Sequence, residues 1–271
     1  MCLIIFENPN LEVLKITFLG TGTSQGVPVV ACQCQVCCSE NERDKRLRSS
    51  VLIETGTENL VIDAGPDFRQ QMLRVGLRKL DAILLTHEHY DHIAGLDDIR
   101  AFNWVEQRPT DIYAEPRVQQ SIERIFHYVF ASKKYPGIPQ MNLHTVHEGQ
   151  AFQVGKTEVV PIRAFHHKLP VLGFRVGNFA YLTDIKTIAP EEIERLKGVT
   201  HLVVNALRRE EHISHFTVDQ ALEFIAAVGP QKAYLTHIGH QLGLHETENA
   251  QLPNGVELAY DGLVLDVNFQ L

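Results

Sequence analysis

One run of this chain is dense in groups that bind metals: Thr86-His87-Glu88-His89-Tyr90-Asp91-His92, an H-x-H-x-D-H string. It puts four imidazole or carboxylate donors within six residues, directly after the apolar stretch Ala82–Leu85. Where a buried strand gives way to a turn, alternate side chains can face two adjacent cations. Imidazole and carboxylate together favour divalent ions such as zinc, manganese or iron. Cations held this way activate water, so the chemistry predicted is hydrolysis.

A weak internal echo points the same way. Ala82-Ile83-Leu84-Leu85-Thr86-His87, Phe179-Ala180-Tyr181-Leu182-Thr183-Asp184 and Lys232-Ala233-Tyr234-Leu235-Thr236-His237 follow one plan. Each is an apolar strand ending in Leu-Thr and then a metal-capable side chain. Strands that end alike can deliver three ligands to one sheet edge.

A second cluster lies near the amino terminus. Four of the five cysteines, Cys32, Cys34, Cys37 and Cys38, fall within seven residues. Neighbours that close make poor disulfide partners, and a thiolate metal site is the better reading. Cys32, Cys34 and Cys37 with His240 complete a tetrahedral Cys₃His set suited to a structural zinc. Such a site would tie the amino-terminal loop to the turn carrying His237. Cys38 is either a spare thiol or an alternative ligand. Gly20-x-Gly22-x-x-x-Gly26 lacks the dinucleotide fingerprint and the phosphate-loop lysine; a tight turn near the site is the expected use.

At the H-x-H-x-D-H string the sequence resembles the metallo-β-lactamase superfamily, and the resemblance extends over nearly the whole chain. It implies a four-layer αββα sandwich with two metals at one edge. By that resemblance His87, His89 and His166 hold one metal, Asp91, His92 and His237 the other, and Asp184 bridges. Asp63 in Val61-Ile62-Asp63-Ala64-Gly65 matches the superfamily's buried aspartate, which orients ligands rather than binding metal. His166 and His167 are adjacent and either can serve; the His-x-Lys-Leu run up to Gly173 favours His166. The cysteine loop with His240 resembles the PhnP-like phosphodiesterases, and the coenzyme biosynthesis protein PqqB has a similar cysteine loop. That resemblance implies hydrolysis of small, cyclic phosphodiesters, with Asp91 and His215 as catalytic residues. His215 would act as a protonated donor to the leaving group, although a loop histidine taken alone is ordinarily just solvated. His127, His144, His147, His201, His212 and His245 match no motif.

These groups need a framework. Strand-like runs are predicted at 15–20, 50–55, 59–63, 80–86, 111–114, 157–162, 173–176, 179–184, 201–205 and 232–236. Asp261-Gly262 between the runs 256–260 and 263–267 predicts a closing hairpin. Pro116 opens a predicted helix reaching Phe130, Pro190-Glu191-Glu192 another, and Thr217 with Gln220 forms a capping box that leads to a stop at Gly229-Pro230. Strands with intervening helices in both halves read as one mixed α/β domain over residues 1–271. Hydrophobic residues make up 44% and charged residues 21% of the chain, as in ordinary globular proteins. Met1–Phe6 is apolar without a basic flank, a poor signal peptide, so the cytoplasm is the expected compartment. A net charge of −8 gives no footprint for long nucleic acid, but bound cations could reverse the local field for a small anion. No membrane partner is expected; a homodimer is compatible with the sequence, but no segment demonstrates one. The rivals are transfer-RNA 3′-end processing on the same fold, a PqqB-like accessory role, and a non-catalytic metal-binding protein.

Overall fold

The structure, a computed structural model, describes residues 11–133 and 135–270. The reading of Met1–Phe6 therefore lies outside the described residues. Among the described residues, fourteen strands form two seven-stranded sheets. In chain order they are β1 (Leu11–Gly20), β2 (Ser50–Glu54), β3 (Asn59–Ile62), β4 (Ala82–Leu84), β5 (Thr110–Ala114), β6 (Met141–Thr145) and β7 (Phe152–Val154). There follow β8 (Thr157–His166), β9 (Leu169–Val176), β10 (Phe179–Leu182), β11 (His201–Asn205), β12 (Lys232–Thr236), β13 (Val256–Leu258) and β14 (Val264–Gln270). One sheet runs β14-β1-β2-β3-β4-β5-β6 and the other β13-β12-β11-β10-β9-β8-β7.

Alternation along the strands builds the layers. In β2, Val51 and Ile53 face the core between the sheets, while Leu52 faces an outer core beneath helices. In β11, Val203 faces inward, and Leu202 and Val204 face the other helical layer. Residues apolar on both sides are what a strand covered on both faces requires. Helices α1 (Phe68–Val75), α2 (Tyr90–Ile93), α3 (Arg100–Glu106), α4 (Pro116–Ile125) and α5 (His127–Phe130) accompany the first sheet. Helices α6 (Pro190–Glu194), α7 (Val218–Val228) and α8 (His245–Asn249) accompany the second. The result is the expected αββα sandwich. Among the described residues no helix is long and apolar enough to cross a membrane.

The capping box of α7 is present: Thr217 accepts from the Gln220 amide and Gln220 from the Thr217 amide, and left-handed Gly229 ends the helix. Three expectations need correction. The helix from Pro116 breaks at Phe126, whose φ of −101° and ψ of 38° leave the helical region. Phe126 and Val129 still bury on one side, so the apolar repeat survives the break. The closing hairpin does not form: β13 pairs parallel with β12, and β14 pairs antiparallel with β1 in the other sheet. Asp261 is drawn away into the structure, accepting from Thr21 Oγ1 and the Leu47 amide at 2.8 Å each, so its turn carries the chain between sheets. Nor do the three echoing strands share a sheet, because β4 lies in the first and β10 and β12 in the second. Their carboxyl ends meet across the gap between the sheets.

Candidate metal centre

The chain turns sharply at the strand ends that carry the donors. Asp63, Asp184 and His237, one or two residues past β3, β10 and β12, have φ of 64°, 58° and 56°. Side chains rarely take this left-handed conformation, and its clustering here marks a constrained site. Close backbone packing fixes the H-x-H-x-D-H loop: the Ala64 amide donates to the His92 carbonyl at 2.7 Å, and the Gly95 amide to the Ala64 carbonyl at 2.8 Å. A Cβ on Gly65 would run into the Asp91 carbonyl oxygen.

All seven expected donors converge. His87 Nε2 lies 2.9 Å from His89 Nδ1, and the His166 ring centroid is 5.8 and 5.2 Å from those of His87 and His89. Asp91, His92, Asp184 and His237 offer donor atoms all within 4.8 Å of one another. His166 is the residue brought into the cluster; its Nδ1 donates to the Ser214 carbonyl at 2.8 Å, which leaves Nε2 for coordination. His167 is exposed at the hairpin turn.

The fit to cations can be tested on His92. Its Nδ1 lies 2.7 Å from Asp63 Oδ2, so the ring donates there. Nε2 is buried without a hydrogen-bond partner, 3.1 Å from Asp91 Oδ2 and 3.3 Å from Asp184 Oδ2. His237 Nδ1 is 3.1 Å from the same Asp184 oxygen. Donors sharing a tetrahedral ion with bonds of about 2.0–2.1 Å are about 3.3 Å apart. A lone pair aimed at two carboxylates is repulsive unless a proton or a cation sits between them. Without a cation the proton takes that place: burial opposes it, but Asp91, Asp63 and Asp184 outweigh burial and raise the His92 pKa well above the ordinary value. Burial works against Asp184 ionising too, yet His237 and His92 hold its carboxyl well below the usual range. This donor set fits divalent metal.

Asp63 is fully buried and stands behind the donors, accepting from Thr86 N and Oγ1 as well as His92. Thr183 Oγ1 donates to Asp184 Oδ2 at 2.6 Å. The threonine that precedes each donor in the strand echo is buried in all three cases.

The cysteine cluster also forms. The sulfurs of Cys32, Cys34 and Cys37 each lie 3.4 Å from His240 Nδ1. Sulfur and nitrogen on one tetrahedral zinc are about 3.5 Å apart for bonds of about 2.3 and 2.0–2.1 Å. Cys38 is exposed and outside the set. The Thr23 amide donates to the Ile238 carbonyl and the Ile238 amide to the Thr21 carbonyl, so the glycine-rich loop is stitched to the residue after His237. Thr23 Oγ1 and Ser49 Oγ lie 3.2 and 3.3 Å from the two His237 ring nitrogens.

His215 lies inside the centre, its ring 4.5 Å from His166 and 4.7 Å from His237, centroid to centroid. Its Nδ1 is buried, without a hydrogen-bond partner, and 3.7 Å from Asp184 Oδ1. Burial, then His237, push its pKa down to about 2, which favours the neutral ring. That weighs against the protonated donor expected, because the pocket is drier than a loop position suggests. With His166 and Asp184 it also forms a group able to hold an ion.

Sequence reasoning passed over two residues that the structure brings close. His212 packs its ring 5.0 Å from that of His215, and the H-x-x-H spacing of Glu211-His212-Ile213-Ser214-His215 was the available signal. Arg117 of α4 pairs with Glu88, inside the metal loop, and donates to the Pro170 carbonyl at 2.6 Å. A lone arginine at a helix start gives no such signal.

Similar proteins fit this geometry. A sequence family described as "Beta-lactamase superfamily domain" matches residues 58–238, a span containing all seven donors. A Porphyromonas gingivalis protein named octanoyltransferase is 46% identical over 252 residues, covering 92% of this chain but 51% of that protein. The chain thus spans about half the length of that relative. The crystal structure of a diphosphatase from the PhnP family superposes with a TM-score of 0.89 at 38% identity, over 96% of this chain and all of that one (100%). Zinc-bound PqqB from Methylobacterium extorquens shares the fold, with a TM-score of 0.73 at 21% identity over 93% of this chain and 100% of that one. The chain belongs to the metallo-β-lactamase superfamily, in its PhnP-like branch.

Proposed function

We propose that this protein hydrolyses small phosphodiesters, cyclic ones among them, at a dinuclear site of zinc or manganese. The observation that carries the reading is Asp184: one oxygen faces His92 and His237, and the other lies toward His215 beside His166. A carboxylate so placed can join two cations. Such cations supply Lewis acidity toward phosphoryl oxygens and a water of lowered pKa.

The remaining work falls to the protein. His87, His89 and His166 form one donor face and Asp91, His92 and His237 the other, with Asp63 fixing the tautomer of His92. Neutral His215 holds no spare proton to transfer. It offers an N–H to the phosphorus-bound oxygens, where a hydrogen bond strengthens as negative charge grows on the leaving oxygen. We read the Cys₃His set as a structural zinc site that holds the His237 turn.

Similarity to a PhnP-family diphosphatase over its full length supports chemistry at phosphorus. Octanoyl transfer, named for a relative of which this chain matches half, has no support from the donor set. The net charge of −8 weighs against precursor transfer RNA as substrate. The test is turnover by the metal-loaded protein of bis(4-nitrophenyl) phosphate, 2′,3′-cyclic nucleotides, ribose cyclic phosphates and precursor transfer RNA. Turnover of the small diesters is expected. Bound metal with no turnover would favour a non-catalytic role, and cleavage of the RNA alone would favour the processing enzyme.

A further inference from the structure

We infer that the pocket at the β8–β9 turn is a substrate subsite that takes a negatively charged, partly apolar ester substituent, an inference that rests on the phosphodiester reading. The pocket, of about 460 Å³, is lined by His89, His166, His167, Lys168, Leu169, Ile213 and Ser214. Two of these are donors of the metal centre, so a group attached to phosphorus there has the pocket directly beside it. The volume is that of an ordinary small-molecule site.

Its lining selects by charge. None of the lining residues is acidic. Among the described residues Lys168 has no ion pair, whereas Lys186 nearby in sequence to the centre pairs with Glu211. Lys168 is exposed at the pocket, where an incoming anion can reach it. Leu169 and Ile213 supply apolar contact, and Ile213 stands 68% exposed at the rim.

The turn is also held in place. His167, first of the two residues joining β8 to β9, has a φ of 57°, and His166 pairs with Leu169 across the hairpin end. Bulky residues in this region cost on the order of 1 kcal/mol or more, and they persist where the surroundings fix them. Here the His166–Ser214 hydrogen bond ties the turn to the loop forming the opposite wall. A carboxylate or a second phosphate carried on a flat group would meet both Lys168 and the apolar rim.

The test is calorimetric binding of phenylphosphonate and its 4-carboxy and 4-phosphono analogues to the zinc-loaded protein, with bis(4-nitrophenyl) phosphate turnover measured alongside. The charged analogues should bind about fivefold more tightly than phenylphosphonate, the scale of one partly exposed ion pair. Lys168→Arg should keep that preference, Lys168→Ala abolish it and Lys168→Glu reverse it, with the metal content of each variant unchanged. Equal gains for both analogues assign the subsite to a carboxylate, and a larger gain for the phosphono group assigns it to a second phosphate. A preference that persists in Lys168→Glu would overturn the inference while leaving the phosphodiester reading intact. A charge preference in a protein that turns over no diester would uphold the subsite and remove that reading instead.

Discussion

His92 and Asp63 form a buried pair, Nδ1 to Oδ2 at 2.7 Å, and this contact decides which His92 nitrogen faces the metal centre. Behind it Thr86 supplies two further donors to the same carboxylate, so Asp63 is held on several sides. Asp63→Asn would present an amide whose N–H₂ cannot accept from the ring, loosening the tautomer. Metal affinity should fall about 10- to 100-fold, read by competition with a chromogenic chelator.

Proton and cation compete for His92 Nε2. In the metal-free protein its pKa is raised, so below that raised value binding must expel a proton and the apparent affinity rises with pH. The slope should approach about tenfold per pH unit for each proton released and flatten once the site deprotonates alone. The same shift stabilises the metal-free fold at pH values below the ordinary histidine value, and that stability is lost as pH climbs through the raised one. Metal titrations in buffers of differing ionisation enthalpy count the protons directly. No proton release at neutral pH would show that His92 is already neutral.

His215→Ala should leave both active-site metals in place, which separates a role beside the centre from ligation. Loss of one hydrogen-bond donor should slow diesters with alkyl leaving groups by about 10²–10³-fold. The nitrophenyl diester, whose leaving oxygen needs little help, should be much less affected. Elemental analysis together with the two rates checks both halves; a lost metal would make His215 a ligand.

Gly65→Ala tests the packing of the metal loop. The new methyl would press on the Asp91 carbonyl oxygen, and overpacking of this kind costs about 1–3 kcal/mol. A lower melting temperature and weaker metal binding should appear together.

Cys34→Ser should remove one metal per chain and leave the other two, with turnover reduced rather than lost. The reduction follows from the stitch between the glycine-rich loop and Ile238, which the cysteine site anchors.

The seven side chains that converge could be picked out because the resemblance named them and most follow an apolar strand, and the three ends of the echo meet in space although their strands lie in two sheets. The two-layered sheet arrangement was not readable from the echo, because alike strand ends do not say which sheet holds each strand. Asp261-Gly262 has the form of a hairpin turn, yet Thr21 and Leu47, more than two hundred residues away, claim its carboxylate. Strands β6 and β7 lack strong alternation; β6 is only partly buried, and its pattern carries little signal. The neutrality of His215 depends on burial among histidines from three separate segments, which local sequence cannot express.

The most direct measurement is an anomalous difference map from crystals grown with zinc or manganese. The account predicts two peaks about 3.5–4 Å apart, with an Asp184 oxygen near each and the histidines divided between them. A third peak should lie among Cys32, Cys34, Cys37 and His240. A fully loaded crystal with a single ion among the seven donors, or none, would contradict the dinuclear centre.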